Sequence, residues 1–175
     1  MKNRRLKFVS KDKPKADIKD FLNEITWTGN CGKKECVQSC KPYWVQVDSH
    51  CFLWSKLQLS WAEAEDVCKK QGGNLASITS KALKEKISDD FKTKPNAQTS
   101  MWIGGKKDKD EDGLWKWSDC SSWNSEASSN PLKEEATGNC LEFLRDGADD
   151  WGANDCAKEN YFLCSQKHCS GSDSG

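Results

Sequence analysis

Several features that would point to whole classes of function are missing from this 175-residue sequence. It has two histidines and no pair of CxxC motifs, which argues against a zinc site. Its 27 basic residues balance 27 acidic ones, so no net charge favours nucleic acid or a membrane surface. No apolar run approaches the ~20 residues that a membrane span needs. We therefore expect neither nucleic-acid binding nor membrane insertion.

Catalytic patterns are also missing. The two histidines are His50, beside a cysteine, and His168, and they build no Ser-His-Asp or Cys-His arrangement. Adjacent carboxylates such as Glu134 and Glu135 are usually solvated in a chain this rich in charge. We predict that the protein is not an enzyme. The basic start of the chain is not followed by the apolar segment of a signal peptide, so we interpret the chain as a mature or recombinant form.

Cysteine, in contrast, is abundant. The ten cysteines are Cys31, Cys36, Cys40, Cys51, Cys68, Cys120, Cys140, Cys156, Cys164 and Cys169. An even number without metal-type spacing predicts a framework of disulfides, and disulfides persist in oxidising compartments. We therefore predict a secreted or extracellular protein.

The composition divides the chain into three regions. Residues 1–39 form a Lys-rich tail, residues 40–169 a domain, and residues 170–175 a flexible tail of Ser, Gly and Asp. The first tail contains an apolar pattern with helical spacing, at Ile18, Phe21, Leu22 and Ile25. This pattern predicts a short amphipathic helix, which either lies on the domain's own surface or acts as a dimerisation neck.

Within residues 40–169 the patterns are those of mixed α and β structure. Residues 44–47 and 51–54 predict a hairpin, and Ser60 is a typical N-cap for a helix that ends at Gly72-Gly73. A second helix begins after Thr79 or Ser80. Short strands are predicted at residues 101–104, 114–117, 140–144 and 161–164.

The order of several short motifs carries a resemblance. They are Cys40-Lys-Pro-Tyr-Trp44 leading to Cys51-Phe52, Ser60-Trp61-Ala-Glu-Ala, Gly73-Asn-Leu-Ala-Ser77-Ile78, Trp102-Ile103-Gly104-Gly105, Trp115-Lys-Trp117-Ser-Asp119, and the series Cys140, Cys156, Cys164. In this order they resemble a long-form C-type lectin-like domain, with forms similar to soluble fish lectins and type II antifreeze proteins. The resemblance implies an α+β fold, in which two helices flank small antiparallel sheets with a long loop region, stapled by disulfides.

The resemblance also implies three disulfides, Cys40–Cys51, Cys68–Cys164 and Cys140–Cys156. For the extra cysteines, we expect Cys169 to pair with Cys36 or Cys31, because the two ends of such a domain lie close together. The remaining N-terminal cysteine would then link a homodimer. Cys120 stands where most members have glycine, and its partner stays open.

Sugar-binding members of the resembled family hold Ca²⁺ with oxygen ligands in the loop between Trp117 and Cys156. Most of these ligands are replaced here, at Leu132 after Asn130-Pro131, at Gly138, and at Gly152-Ala153 after Trp151. We therefore predict no cofactor. A shifted Ca²⁺ site stays open as an alternative; its acids and amide would be Asp146, Asp149, Asp150, Asn154 and Asp155, with Glu134 and Glu135 facing them.

The same loop has groups suited to a sugar. Trp123 and Trp151 offer flat faces for stacking, although Trp151 matches a position that is often buried in the family. The predicted ligand-binding residues are Trp123, Asn130, Glu134, Glu135, Asn139, Asn154 and Asp155.

Three functions follow, in order of preference. The first is an extracellular lectin that binds galactose- or lactose-type glycans of microbes or cell surfaces, largely without the usual calcium site, and acts in innate defence by agglutination as a dimer. The second is a calcium-independent module that binds a protein ligand; Arg145 is the single arginine of residues 40–169, and this scarcity of anchors favours glycans. The third is ice binding, which the charged long loop disfavours.

Overall fold

The computed structural model describes residues 35–110, 113–123, 137–145 and 151–169. The chain divides into two units, residues 1–30 and 31–175, and every described residue belongs to the second. The predicted amphipathic helix around Phe21 lies outside the described residues. No described helix is long and apolar enough to cross a membrane.

The described elements are short strands and two helices. The strands are β1 (Val45–Val47), β2 (His50–Trp54), β3 (Asn74–Leu75), β4 (Ser100–Lys107), β5 (Trp115–Trp117), β6 (Cys140–Leu144), β7 (Trp151–Asn154) and β8 (Tyr161–Lys167), and the helices are α1 (Trp61–Lys70) and α2 (Lys81–Lys92). The predicted hairpin, both helices and the four predicted strands are confirmed. Two strands, β3 and β7, were not predicted, because two residues are too few for a pattern and Gly152 interrupts the apolar alternation of β7.

Helix α1 begins at the predicted cap. The Ser60 side chain accepts a hydrogen bond from the Glu63 backbone N–H, and the Glu63 carboxylate accepts one from the Ser60 backbone, which is a capping box. The helix ends at Lys70 with Gln71 as its C-cap, and the following Gly72 has a φ of +89°, where a Cβ would be strained. Its buried positions are Trp61, Ala64, Glu65 and Cys68.

Helix α2 is capped by Ser80, which settles the choice between the two predicted caps. The Ser80 side chain accepts a hydrogen bond from the Leu83 backbone N–H at 3.1 Å. Leu83, Ile87 and Phe91 are buried along one face, with the spacing that an amphipathic helix needs. This face packs into the hydrophobic core.

The strands form one connected sheet with the order β1-β2-β8-β4-β6-β7, in which β3 also pairs with β8 and β5 with β4. The pairs are antiparallel except for β4 and β8, which run parallel with Met101 opposite Tyr161. The sequence prediction of antiparallel sheets thus missed one pair. Strand patterns identify strands but not their partners, so this parallel neighbour is decided by the tertiary structure.

The side chains of β4 alternate between two faces of the sheet. Met101 and Ile103 belong to the hydrophobic core that also contains the buried face of α2. Trp102 lies on the other face, where its indole donates to the Leu59 carbonyl at 3.0 Å. Trp61 of α1 donates in turn to the Ile103 carbonyl at 2.8 Å. The sheet therefore has a core face towards α2 and a second face towards α1.

The structure contains the three disulfides that the resemblance implied, Cys40–Cys51, Cys68–Cys164 and Cys140–Cys156. A fourth joins Cys36 to Cys169, the first of the two pairings expected for Cys169. Cys120 is also disulfide-bonded, and because the other eight described cysteines pair with one another, its partner lies outside the described residues. The predicted interchain bond through Cys31 lies outside the described residues as well.

The folded unit also includes residues before Cys40. The Val37 backbone N–H donates to the Lys167 carbonyl at 2.9 Å, and the Cys169 N–H donates to the Val37 carbonyl at 2.9 Å. Together with the Cys36–Cys169 disulfide, these bonds fix residues 36–37 beside the end of β8.

Candidate functional site

A polar cavity of about 540 Å³ opens beside the end of β7, and we call it the Asn154 cavity. It is lined by Lys106, Lys109, Thr137, Gly138, Asn139, Asn154, Asp155, Cys156 and Ala157. Lys106 lies near the end of β4, opposite Cys140 at the start of β6, and Cys140 lies opposite Asn154. Three of the predicted ligand-binding residues, Asn139, Asn154 and Asp155, therefore come together here.

The two polar residues at the end of β7 have different roles. The Asn154 side chain donates to the Glu142 carboxylate at 3.0 Å and accepts from the Asp155 backbone N–H at 2.8 Å. Its amide is therefore committed to internal contacts. Asp155 is exposed, and its Oδ1 accepts from the Ala157 N–H at 3.0 Å. The carboxylate of Asp155 thus presents hydrogen-bond acceptors to the cavity.

Glu142 of β6 lies beneath Asn154 and fixes its side chain. It is buried, and its carboxylate accepts hydrogen bonds from Asn154 at 3.0 Å, Asn160 at 3.0 Å and Lys158 at 3.3 Å. A buried carboxylate that accepts several hydrogen bonds orients the side chains that donate them. The sequence analysis missed Glu142. It lies between the apolar residues Leu141 and Phe143, and nothing in the sequence shows that it faces Asn154.

Gly138 closes one wall of the cavity through its backbone. A Cβ at this position would lie 2.2–2.3 Å from the backbone N, Cα and C atoms of Asn154. Distances this short do not occur between nonbonded atoms, so no side chain fits at residue 138 without a backbone shift. This is the position at which the resembled family carries a calcium-ligating glutamate.

The described residues do not fit the usual calcium site. Gly138, Gly152 and Ala153 supply no side-chain oxygen, whereas Ca²⁺ takes six to eight oxygen ligands. Within the described ranges, no group of three or more His, Cys, Asp or Glu side chains is placed to hold a metal ion. The remaining acids of the shifted calcium site, Asp146, Asp149, Asp150, Glu134 and Glu135, lie outside these ranges.

The cations of the cavity were not predicted as site residues. Burial lowers the pKa of Lys106, and the nearby Lys109 ammonium lowers it further, while Glu65 opposes the shift. The Lys106 Nζ lies 5.0 Å from the centre of the Trp61 ring, a distance that permits a cation–π contact. No signal in the sequence set Lys106 and Lys109 apart from the many other lysines of the chain.

Trp123, the aromatic residue of the predicted site, belongs to a tryptophan cluster. Its ring centre lies 4.9 Å from Trp117, 5.8 Å from Trp151 and 6.1 Å from Trp115. Trp117 and Trp151 are buried, and neither indole N–H has a hydrogen-bond partner among the described residues. Trp151 therefore packs in the core, and Trp123 is half-buried against it.

The structure separates the predicted site residues into two groups. Trp151 is part of the core face of β7, whereas Asn154, three residues further on, contacts Glu142 on the other face. Trp123 packs with Trp151, while Asn139 and Asp155 line the Asn154 cavity. Asn130, Glu134 and Glu135 lie outside the described residues.

The fold and the sequence define one class of protein. The family profile "Lectin C-type domain" matches residues 57–166, which is more than half of the chain. The chain therefore belongs to the C-type lectin domain family, as the resemblance predicted.

Individual relatives are similar over most of this chain. The galactose-specific lectin nattectin of Thalassophryne nattereri is 31% identical over 135 residues, covering 76% of this chain and 84% of nattectin. Asialoglycoprotein receptor 2 of Mus musculus is 31% identical over 160 residues, covering 86% of this chain, but the chain spans only 48% of that receptor. The crystal structure of a calcium-independent type II antifreeze protein superposes with a TM-score of 0.60 at 24% identity, covering 75% of this chain and 96% of that one. The likeness to the antifreeze structure shows a shared fold.

Proposed function

We propose that this chain is an extracellular lectin that binds galactose- or lactose-type glycans largely without the usual calcium site. The observation that carries the proposal is the Asn154 cavity, in which acceptors and cationic donors face a space of about 540 Å³ at the end of β7. Such a volume falls within the ~300–1,000 Å³ of small-molecule sites. The specificity of nattectin, named as a galactose-specific lectin, supports the choice of sugar.

The chemistry of the cavity suits neighbouring hydroxyl groups. A sugar hydroxyl can donate to the exposed Asp155 carboxylate and accept from an ammonium group of Lys106 or Lys109. Hydrogen bonds to charged groups contribute about 1.5–3 kcal/mol, roughly twice the value for neutral pairs. The ammonium groups would thus provide the positive charge that Ca²⁺ provides in calcium-dependent sites.

A second part of this proposal is that a sugar ring stacks on Trp123, and it can be tested separately. The Asn154 cavity lies on the α1 side of β7, and Trp123 packs on the core side, so polar contacts and stacking are independent hypotheses. We place the polar contacts in the cavity. Stacking on Trp123 is tested by its own variant, Trp123→Ala.

The experiment is binding of the full chain to immobilised glycans with galactose and lactose termini, in Ca²⁺ and in EDTA. We expect binding in both buffers, weakened at least tenfold by the double change Lys109→Ser and Asp155→Asn. The matched control is Lys81→Ser with Glu85→Gln, which makes a similar change at two exposed residues of α2. The control should bind like the unchanged protein.

Each other outcome contradicts a stated part of the proposal. Loss of binding in EDTA would show that an ion takes part. Equal binding by both double variants would move the sugar away from the Asn154 cavity. Absence of binding to every glycan would overturn the lectin function and favour a protein ligand.

We further propose that the lectin acts in innate defence by agglutinating microbes. Agglutination needs at least two linked sites, and linkage raises the apparent affinity without any new contact. The hypothesis of a homodimer predicts a mass of twice that of the chain in analytical ultracentrifugation, at concentrations where the protein agglutinates cells. A mass of one chain under these conditions would contradict it.

A further inference from the structure

A second concave surface, which we call the Tyr43 groove, lies away from the Asn154 cavity. It has a volume of about 640 Å³ and is lined by Tyr43, Val45, Leu53, Trp54, Ser55, Lys56, Lys94, Pro95, Gln98 and Tyr161. All of these residues are described, and more than half are aromatic or aliphatic. Grooves lined in this way are typical of binding sites.

The two surfaces lie at opposite ends of the sheet. Gln98 precedes Ser100, the first residue of β4, whereas Lys106 of the Asn154 cavity lies near the end of this eight-residue strand. At about 3.3 Å per residue, six residues of strand separate Ser100 from Lys106 by roughly 20 Å. A ligand in the Tyr43 groove is therefore not a ligand of the proposed sugar site.

One wall of the groove is held in place by Arg145. Its guanidinium donates to the Lys92 carbonyl at 2.8 Å and to the Pro95 carbonyl at 2.7 Å. The Gln98 N–H donates to the same Pro95 carbonyl at 2.9 Å. The turn that carries Pro95 and Gln98 is thus fixed before any ligand arrives, which lowers the entropy cost of binding.

The opposite wall exposes apolar side chains that the fold does not use. Tyr43 is 94% exposed and Val45 is 44% exposed. Tyr43 has a φ of +70°, a strained conformation for a residue with a Cβ. Strained residues with exposed aromatic rings are typical of sites where function, not stability, selects the residue.

The charge around the groove is positive. Lys56 and Lys94 line it, no carboxylate among the described residues does, and the Arg145 guanidinium lies behind Pro95. Asp90 pairs with Lys94 at 3.2 Å and offsets one of these three charges. The Lys94 Nζ also lies 4.6 Å from the Trp54 ring centre, so a cation and an aromatic face are presented together.

The groove borders the edge of the sheet that β1 forms. β1, which contributes Val45, pairs with β2 and has no second partner strand among the described residues. The free edge of a strand can pair with an extended peptide, whose side chains then fill adjacent pockets.

From these observations we propose that the Tyr43 groove docks an extended acidic segment of a partner protein. An aromatic or leucine side chain of the segment packs between Tyr43 and Trp54, and its carboxylates face Lys56 and Lys94. This inference goes beyond the proposed glycan binding and does not depend on it.

The test is selection of a random peptide library displayed on phage against the immobilised full chain. Peptides are counter-selected against the variant Tyr43→Asn with Lys56→Glu. We expect the enriched peptides to carry two or more acidic residues beside Phe, Trp or Leu. A synthetic copy should bind the unchanged chain by calorimetry, at least tenfold more weakly to the double variant, and more weakly at 0.5 M than at 0.05 M salt.

The double variant alters two exposed side chains, so the fold should persist, and its near-ultraviolet circular dichroism and glycan binding should stay unchanged. Leu57→Ser is the matched control, because Leu57 is 63% exposed beside Lys56 but does not line the groove. It should keep full peptide affinity.

Several results would overturn the proposal. These are no enriched peptide, enriched peptides without acidic residues, or peptides that bind the double variant equally well. Self-association of the chain that Tyr43→Asn abolishes would identify a second copy as the occupant instead. Binding of a sulfated oligosaccharide at the groove, without any enriched peptide, would identify an anionic glycan.

Discussion

The two faces of strands β4, β6 and β7 differ in the side chains that they carry: one face is apolar, and the other includes a buried polar network. The core face carries Phe143 and Trp151 in the hydrophobic core, whereas the face towards α1 carries Glu142 and Asn154 in a hydrogen-bonded polar network. Both faces come from the same short segments of sequence, in alternation. The core face is therefore stabilised mainly by burial, whereas the second face combines buried rings such as Trp102 with polar contacts around Glu142 that also build the candidate sugar site.

The largest expected effect is on the core face. Trp117→Ala removes a ring that is 3% exposed, and such deletions cost about 3–5 kcal/mol. Trp123 is half-buried, so Trp123→Ala should cost about 1–2 kcal/mol. The free energy of unfolding in urea measures both. Equal losses would mean that Trp123 is a core residue and not a candidate contact.

A smaller effect is expected at the wall of the Asn154 cavity. Gly138→Ala places a methyl group 2.2–2.3 Å from the backbone of Asn154 and should cost about 2–3 kcal/mol. Gly152→Ala is the matched control, because its Cβ would meet neighbours at 3.4–3.6 Å and the cost should stay below about 0.5 kcal/mol. Urea unfolding of the two variants compares them. If Gly138→Ala left the stability unchanged, a side chain would fit at residue 138, and the argument against a calcium ligand at this position would fail.

A pH effect is expected where α1 meets the second face. Burial raises the pKa of Glu65, although its carboxylate accepts from the Leu75 N–H at 2.7 Å and from Asn74 at 2.6 Å. The folded state therefore binds a proton more readily than the unfolded state. The free energy of unfolding contributed by Glu65 should fall as pH rises above 4.5, through the folded pKa.

Glu65→Gln should remove this dependence. The measurement is the difference between the pH profiles of the unchanged and the variant protein in urea unfolding. We subtract the free energy of unfolding of the variant from that of the unchanged protein. If this difference rises with pH, the hydrogen bonds to Glu65, not its burial, dominate its pKa.

The smallest expected effect concerns the rim of the sheet, which belongs to neither face. Tyr43 has a φ of +70°, and Asn adopts this conformation more readily. Tyr43→Asn should therefore stabilise the protein by about 0.5–1 kcal/mol, measured by urea unfolding, while peptide affinity at the Tyr43 groove falls. A loss of stability would show that Tyr43 supports the fold and would remove one argument for a docking role.

Local patterns account for much of the fold. Ser60 and Ser80 have side chains that cap helices, and the alternation in residues 140–144 marks a strand. These elements depend on interactions within a few residues of each other, which is why a sequence shows them. The strands β3 and β7 escaped because their pairing, not their composition, makes them strands.

The candidate site was less predictable. Sequence motifs indicated the loss of calcium ligands and drew attention to Asn139, Asn154 and Asp155, which do line one cavity. They did not reveal Lys106 and Lys109, because lysines in a charged sequence carry no sign of where they converge. Whether these residues bind a sugar stays a prediction.

The sequence by itself determined the family, the cap of α1 and the residues available for disulfides, since each depends on residue identity and spacing. Only the tertiary structure decided that β8 lies parallel to β4, that Cys169 pairs with Cys36, and that Trp123 and Asn154 lie on different faces of the sheet. These outcomes depend on which distant segments pack together. Packing minimises buried polar groups and voids over the whole domain, and no short segment contains that information.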